Sequence, residues 1–500
     1  MTTLIRTDRT QESAWSLLGA LALGAVLGVA IFASGGYAVM ALAGVLAFAL
    51  YARYPAVGLY VTTVLLLLSG SAGVLGALRV AVPLTLAKVS GAALLVAWAG
   101  NVLVRRQRVH VGKEMIILAA FFAWAGVGVF ASSYYQQQWP EWVRLATLVA
   151  FFALSVQLLD SPATLHRYLV LLCVCGLLMS LFAIAQYFIP ALQLDVATAV
   201  QSLGAGAEGA YIDPDSLSGG AAVRVSGRAG HSNWLAMALL VLLPLNAYWF
   251  GTARTRRMQG AVLLTAGCEL IALVLTFTRT GFLIGFVAAA LLLFRRLIHV
   301  GPRRATALAM VVFLSWFLLP GPYKERVLTF TQYSRSDSVS HRLELQEAAF
   351  DIMTESPVWG VGLGGFGTHI IEKTSQVAYI MRWLVEDQNW NPVFLGAHNL
   401  YLQLACDTGL VGLALILLFF GALLRRLRRA RQDFEARGED RLARMTAVLG
   451  VSMLTFLCAG IFLHALQQKI WWMIAAVATV IAMRHEDLAD RSSAVSSDGE

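Results

Sequence analysis

What most limits the fold of this chain is a nearly unbroken succession of apolar runs, each about as long as a lipid bilayer is thick. A hydrocarbon core about 30 Å across takes roughly 20 helical residues to cross. The sequence offers about fourteen such runs: 15–33, 36–52, 56–76, 83–104, 114–132, 141–159, 165–189, 230–250, 259–277, 281–295, 304–320, 400–424, 445–464 and 467–483. The 500 residues are 58% hydrophobic and 13% charged, with mean hydropathy +0.69, far from a soluble globular chain. The expected fold is an all-α polytopic integral membrane protein with about 12–14 transmembrane helices and a large, partly helical loop on one face.

The net charge of +9 is placed in clusters. Arg105, Arg106, Arg108 and Lys113 form one; Arg254, Arg256 and Arg257 a second; Arg295, Arg296, Arg303 and Arg304 a third; residues 425–444, "RRLRRARQDFEARGEDRLAR", the largest. With the N-terminus in the cytoplasm, each cluster falls on the cytoplasmic side, as the positive-inside bias requires. These residues are therefore read as topology determinants and contacts to anionic membrane lipids, with no nucleic-acid partner. The same count sends the C-terminus to the cytoplasm. No cleavable signal peptide is evident, so the first apolar run reads as an anchor. The five cysteines have no metal-ligand spacing and read as small buried residues.

This topology divides the chain into N-terminal transmembrane helices (1–189), a first outer loop (190–229), helices joined by a short turn at Arg279 (230–320), a large outer loop (321–397), C-terminal helices (398–484) and a cytoplasmic tail (485–500). The second outer loop is rich in Trp, Phe, Tyr and Gly and the first in Gly, and loops this long are usually either functional or disordered, so function is sought there. In the second, residues 340–357, "SHRLELQEAAFDIMTESP", read as a helix capped by Ser340 and ended by Pro357, with Leu343, Leu345, Ala348, Ala349 and Ile352 on its apolar face. The glycine run that follows, "PVWGVGLGGFG", lacks the Gly-Lys-Ser/Thr of a phosphate loop. It reads as a compact turn that lets backbone approach a substrate or another helix.

Arginines recur on the outer side, against the charge bias. Arg224 and Arg228 stand in "RVSGRAGHSNWLA", Arg279 in "TFTRTG", and Arg342 in the loop helix. A guanidinium presents a planar fork of donors to phosphate oxygens, so arginines converging at one membrane surface suit a diphosphate. The alternative for each is snorkelling to lipid headgroups or pairing with Asp213, Asp215 or Glu344. Residues 396–413, "GAHNLYLQLACDTGLVGL", open an apolar run with polar groups. On a helix Asn399, Gln403 and Asp407 line one stripe with His398 beside its upper end. The polar part is about 14 Å long, and Thr408–Leu424 is nearly long enough to span alone. The polar part is therefore expected to project through the outer interface.

These four motifs, in this order, resemble those of the O-antigen ligase and polymerase superfamily of bacterial inner-membrane glycan enzymes. "RVSGRAGHSNWLA" fits Arg-x-x-Gly followed by Asn-x-x-Ala, and "TFTRTG" fits Ser/Thr-Arg-x-Gly. The loop helix and glycine run fit Arg, a helix, then Pro-x-x-Gly-x-Gly-x-Gly-x-Phe. "AHNLYLQLACDTGLVGL" fits His-Asn-x-Tyr-Leu-Gln followed by Gly-x-x-Gly. The chain departs from the family in that more candidate spans precede the large loop than members commonly have. The resemblance implies transfer of a glycan from undecaprenyl diphosphate, at the periplasmic face of the inner membrane, to an acceptor. That acceptor is lipid A-core in the ligase branch, another lipid-linked repeat in the polymerase branch, or a protein Ser or Thr in a third. The ligase branch, completing lipopolysaccharide, is the expectation. The resemblance carries the arginine and histidine positions to Arg224, Arg279, Arg342 and His398.

The chemistry needs stabilisation of the leaving diphosphate and removal of the acceptor's proton. No Asp-x-Asp pair stands in the outer motifs, and "DPD" at 213–215 reads as a turn. No metal or other cofactor is therefore expected, with fixed arginine charge serving the leaving group. An unperturbed imidazole titrates near pH 6.5, which makes His398 the candidate base; capping a helix or binding the diphosphate are its other readings. Arg279 joins it as a catalytic candidate, and Arg224, Arg228, Arg342, Asn399 and Gln403 as diphosphate or substrate contacts. A lipid or glycan transporter is the rival class. It would place ionisable groups near the midplane of several spans, where this chain has chiefly Lys88 and Glu269.

Overall fold

The structure is a computed structural model that describes residues 37–68, 86–106, 109–189, 192, 225–227, 232–297, 337–371 and 396–497. Fourteen helices and no strand occur among them. They are α1 (Tyr37–Arg53), α2 (Pro55–Leu68), α3 (Leu86–Arg105), α4 (Lys113–Ala131), α5 (Tyr135–Leu158), α6 (Pro162–Phe188), α7 (Ser232–Thr252), α8 (Arg256–Leu275), α9 (Arg279–Phe294), α10 (Asp337–Glu355), α11 (Gly365–Ile370), α12 (Leu400–Ala436), α13 (Asp440–Gly460) and α14 (Lys469–Ser497). Eight of the described helices are long and apolar enough to cross a membrane. The chain is an all-α polytopic membrane protein. The runs expected at 15–33 and 304–320 lie outside the described residues.

Two compact units contain these helices. In the smaller, α1 packs on α3, and hydroxyls hold the seam: Ser90 Oγ lies 2.9 Å from Tyr51 Oη and 2.8 Å from Thr62 Oγ1. Asn101 donates to the Ala52 carbonyl at 3.0 Å. In lipid, where carbon tails compete with carbon side chains for contact, such bonds help choose which helices associate.

The larger unit holds α4–α14. Its helix starts follow local chemistry. Ser161 caps α6 in a reciprocal box with Thr164, Pro162 occupying the first turn, and Thr255 caps α8 through the Met258 N–H. Packing then sorts the helices by burial. α7 and α13, packed on each other, have most of their residues covered, whereas α8 and α9 leave Leu263, Leu264, Ile271, Phe286 and Phe294 exposed. An apolar surface of this extent matches hydrocarbon rather than water.

The contacts also show which helix ends share a level. At one end, Glu114 pairs with Arg426, Arg484 donates to the Leu159 carbonyl, Asp433 meets His485, and Arg444 reaches the Leu297 carbonyl. Burial and the nearby Arg428 and Arg431 lower the pKa of Arg295, so the clusters around 295 and 425–431 stand close together. At the opposite end lie the joints 132–134, 225–227, 276–278 and 461–468 and the start of α12. The arginine-rich joints and the motif-bearing joints are thus segregated.

Helix α10 departs from expectation in two respects. It starts at Asp337, not after a cap at Ser340. "SDSVS" supplies several capping residues, and the helix takes an earlier register than the last of them. Leu343 is 61% exposed while Leu345, Ala349 and Ile352 are fully buried. At 100° per residue, Leu343 stands about 200° from Leu345 and so faces away from the core.

Glu114 is fully buried and Arg426 12% exposed, so removing only the cation strands a carboxylate. Arg426→Met is expected to cost about 3–5 kcal/mol, and adding Glu114→Gln to restore most of it, read as thermal unfolding in detergent.

Candidate functional site

Helix α12 begins where the polar stripe does. Asn399 caps it, its Oδ1 accepting from the N–H groups of Tyr401 at 2.9 Å and Leu402 at 3.1 Å. Gln403 accepts from the Ala397 N–H at 2.7 Å and donates to Asp407 Oδ2 at 2.9 Å. Asp407 in turn accepts from Gly364 N at 3.0 Å and Phe366 N at 3.1 Å. Those amides open α11, so the acceptor at the end of the glycine run is the chain's own carboxyl group. The second partner expected for that turn, another helix, is the one found.

The helix breaks immediately after Asp407. Gly409 has φ 67° and ψ 179°, and the Leu410 N–H bonds across to the Pro357 carbonyl at 2.8 Å. A Cβ on Gly409 would lie 2.0 Å from the Val358 carbonyl oxygen, and one on Gly360 would meet Asp407 and Gly409 backbone at 2.5–2.6 Å. Only glycine permits this crossing of two backbones. Trp124 stacks on Trp359 at 4.5 Å and donates to the Thr408 carbonyl, while Gln138 donates to the Val361 carbonyl, fastening α4 and α5 to the same knot. Leu345, Ala349, Ile352, Phe366, Ile370, Ala397 and Cys406 fill one core cluster beneath it.

His398 sits on this frame. It is 3% exposed with φ 50°, a left-handed conformation uncommon for a side-chain-bearing residue. Its ring meets His464 edge to face, centroids 5.4 Å apart, and His464 meets Trp234 at 6.4 Å. Leu463, next to His464, lines one crevice with Asn233, Thr278, Thr280 and Gly281. Arg279, half-buried, lies between Thr278 and Thr280 as the first residue of α9. The structure thus brings the His398 and Arg279 segments to one end of one unit. A guanidinium at a helix N-terminus adds to the positive end of the helix dipole, which favours an anion there.

The Arg279 turn is tightly made. Phe277 has φ 52°, the Thr276 and Thr278 hydroxyls lie 3.0 Å apart, and a Cβ on Gly281 would strike the Thr278 hydroxyl at 2.4 Å. Arg342 is half-buried one turn before Leu345, whose cluster includes Ala397. Arg224 and Arg228 lie outside the described residues. The three residues between them are anchored, Val225 N to the Leu275 carbonyl and Ser226 N and Gly227 N to Gln186 Oε1.

Reading the sequence missed His464 and its place beside His398. Its one signal was a polar residue in the tight joint before Gln467. It also missed Arg144, held by Glu141 and Gln467 at this end. Among the described residues no three His, Cys, Asp or Glu side chains gather as a metal site needs. Asp213 and Asp215 lie outside those residues.

Residues 260–417, about a third of the chain, match the family model described as O-antigen ligase. That match supports the O-antigen ligase/polymerase superfamily for this segment. The segment contains Arg279, Arg342, the glycine run, His398 and Asp407, and it ends before His464. No curated protein matches the chain.

Asp407→Ala leaves three donors without their acceptor, each worth about 1–3 kcal/mol when buried. Hydrogen exchange over residues 357–371 is expected to accelerate strongly, with Asp407→Asn intermediate. Unchanged protection in the alanine variant would mean that the loop is held elsewhere.

Proposed function

From the premise that residues 260–417 match the O-antigen ligase/polymerase superfamily, we propose that this chain is a glycosyltransferase of the bacterial inner membrane. It transfers O-antigen glycan from undecaprenyl diphosphate to lipid A-core at the periplasmic face. The observation that supports this reading is that the segments carrying His398 and Arg279 lie at the helix ends opposite the arginine-rich joints. Under the positive-inside bias the arginine-rich ends are cytoplasmic, so the His398 end faces the periplasm.

His398 takes the proton from the acceptor hydroxyl as that oxygen attacks the anomeric carbon. Arg279, with Arg224, Arg228 and Arg342, holds the diphosphate that leaves with the bonding electrons. Fixed guanidinium charge at a partly dehydrated surface stabilises the charge that grows on the bridging oxygen, so no metal ion is required. Asn399 and Gln403, assigned to the substrate from the sequence, form hydrogen bonds within the α12 cap, to Ala397 and to Asp407. Their contribution to binding is accordingly proposed to run through the frame that holds His398.

Purified protein given undecaprenyl-diphosphate glycan and lipid A-core is expected to form the ligated product with chelator present. His398→Ala should lower the rate by about 10²–10⁴, the usual worth of a general base, and Arg279→Ala should also be severely impaired. Full activity in both variants at normal abundance would dismiss the assigned site, and a strict need for divalent metal would dismiss arginine-based stabilisation. Glycan ladders built without lipid A-core would assign the polymerase branch instead.

A further inference from the structure

The backbone on either side of His398 is fixed by contacts already described. Ala397 is buried in the core cluster and its N–H is bonded to Gln403, while Asn399 caps α12. These contacts impose the left-handed φ of His398, a conformation that costs roughly 1–2 kcal/mol and persists only where the surroundings determine it. They fix the Cα–Cβ direction, and the orientation of the imidazole about its own side-chain torsions is set by what the ring meets. A base misplaced by about 1 Å can lose roughly 10²-fold in rate, so the ring needs a neighbour.

His464 is that neighbour. It comes from the joint between α13 and α14, its ring standing at 89° to the His398 ring with centroids 5.4 Å apart. Its other side is fitted to Gly396. A Cβ there would fall 2.3–2.4 Å from Cγ, Cδ2 and Nδ1 of His464, so the imidazole occupies the space a side chain would take. Gly396 is not among the residues with positive φ, so alanine at 396 is opposed by the His464 ring and not by backbone conformation. Trp234, at the start of α7, meets the same ring at 6.4 Å.

We propose that His464 is a positioning residue, seated on Gly396 and Trp234, that fixes the orientation of the His398 imidazole by ring packing. This rests on the reading of His398 as the base. It also gives the Gly-x-His spacing at 396–398 a purpose: glycine provides the seat for the ring that orients the histidine two residues on.

The test uses the full chain in lipid nanodiscs, with undecaprenyl-diphosphate glycan as donor and lipid A-core as acceptor. His464→Ala is expected to lower kcat roughly 10–100-fold with little change in donor KM. His464→Phe keeps a flat ring on the glycine seat and should stay within about fivefold of wild type. Gly396→Ala displaces the ring and should match His464→Ala, and the double variant should lose no more than either alone, since both act through one contact. A wild-type kcat in His464→Ala overturns the proposal. So does a His464→Phe variant as slow as the alanine one, a loss confined to KM, or additive losses in the double variant. If His464→Ala fails to fold, the phenylalanine and Gly396→Ala variants decide: fast and slow respectively support the proposal, and any other pairing overturns it. His398→Ala separates the two levels. Transfer that survives it removes the base assignment, whereas loss there with unaffected His464 variants removes only the positioning role.

Discussion

The architecture at the functional end depends on one carboxylate accepting hydrogen bonds inside a membrane protein. Asp407 receives the Gly364 and Phe366 amides and the Gln403 side chain, and so joins the glycine run to α12 where that helix breaks at Gly409. A buried carboxyl group is expensive unless its oxygens are satisfied, and here three donors meet them. The consequence spreads along the chain. α11 is fixed at its start, α10 packs against α12, and the Ala397–His398 segment is set by Gln403, the same side chain that meets the carboxylate.

A glycine-rich turn opening a helix invites comparison with anion-binding loops. In this chain the amides at that turn are already engaged by Asp407, so the turn serves to hold backbone against backbone. In the proposed function the features suited to an external anion are elsewhere, at the start of α9, where Arg279 adds to the helix dipole. Separating the two explains why the polar residues of α12 and the outer arginines occur in one protein without serving one purpose.

The apolar runs were legible because the bilayer imposes a length and forbids unsatisfied backbone, and the described helices coincide with them from α3 through α9. The polar stripe at the head of α12 was legible too, since Asn399, Gln403 and Asp407 recur every four residues and leave an apolar remainder of spanning length, but the break at Gly409 was not, because the same pattern reads as one continuous helix. The start of α10 was not legible either, because Ser336, Asp337, Ser338 and Ser340 are all residue types that cap helices and their local pattern does not choose among them. Leu343 was assigned to the wrong face because hydrophobicity was counted without its angle. The partners of Gly360 and His398 were out of reach for another reason: Gly409 and His464 meet them through tertiary contacts that no local pattern encodes.

Ile370 and Ala397 belong to the same buried cluster, although 26 residues of sequence separate them. The two feet of the intervening chain therefore stand side by side on the rigid frame. The seat of His398 is thus built by segments distant in the sequence, so a change in the buried face of α10 or α11 reaches the histidine through Ala397 without touching it.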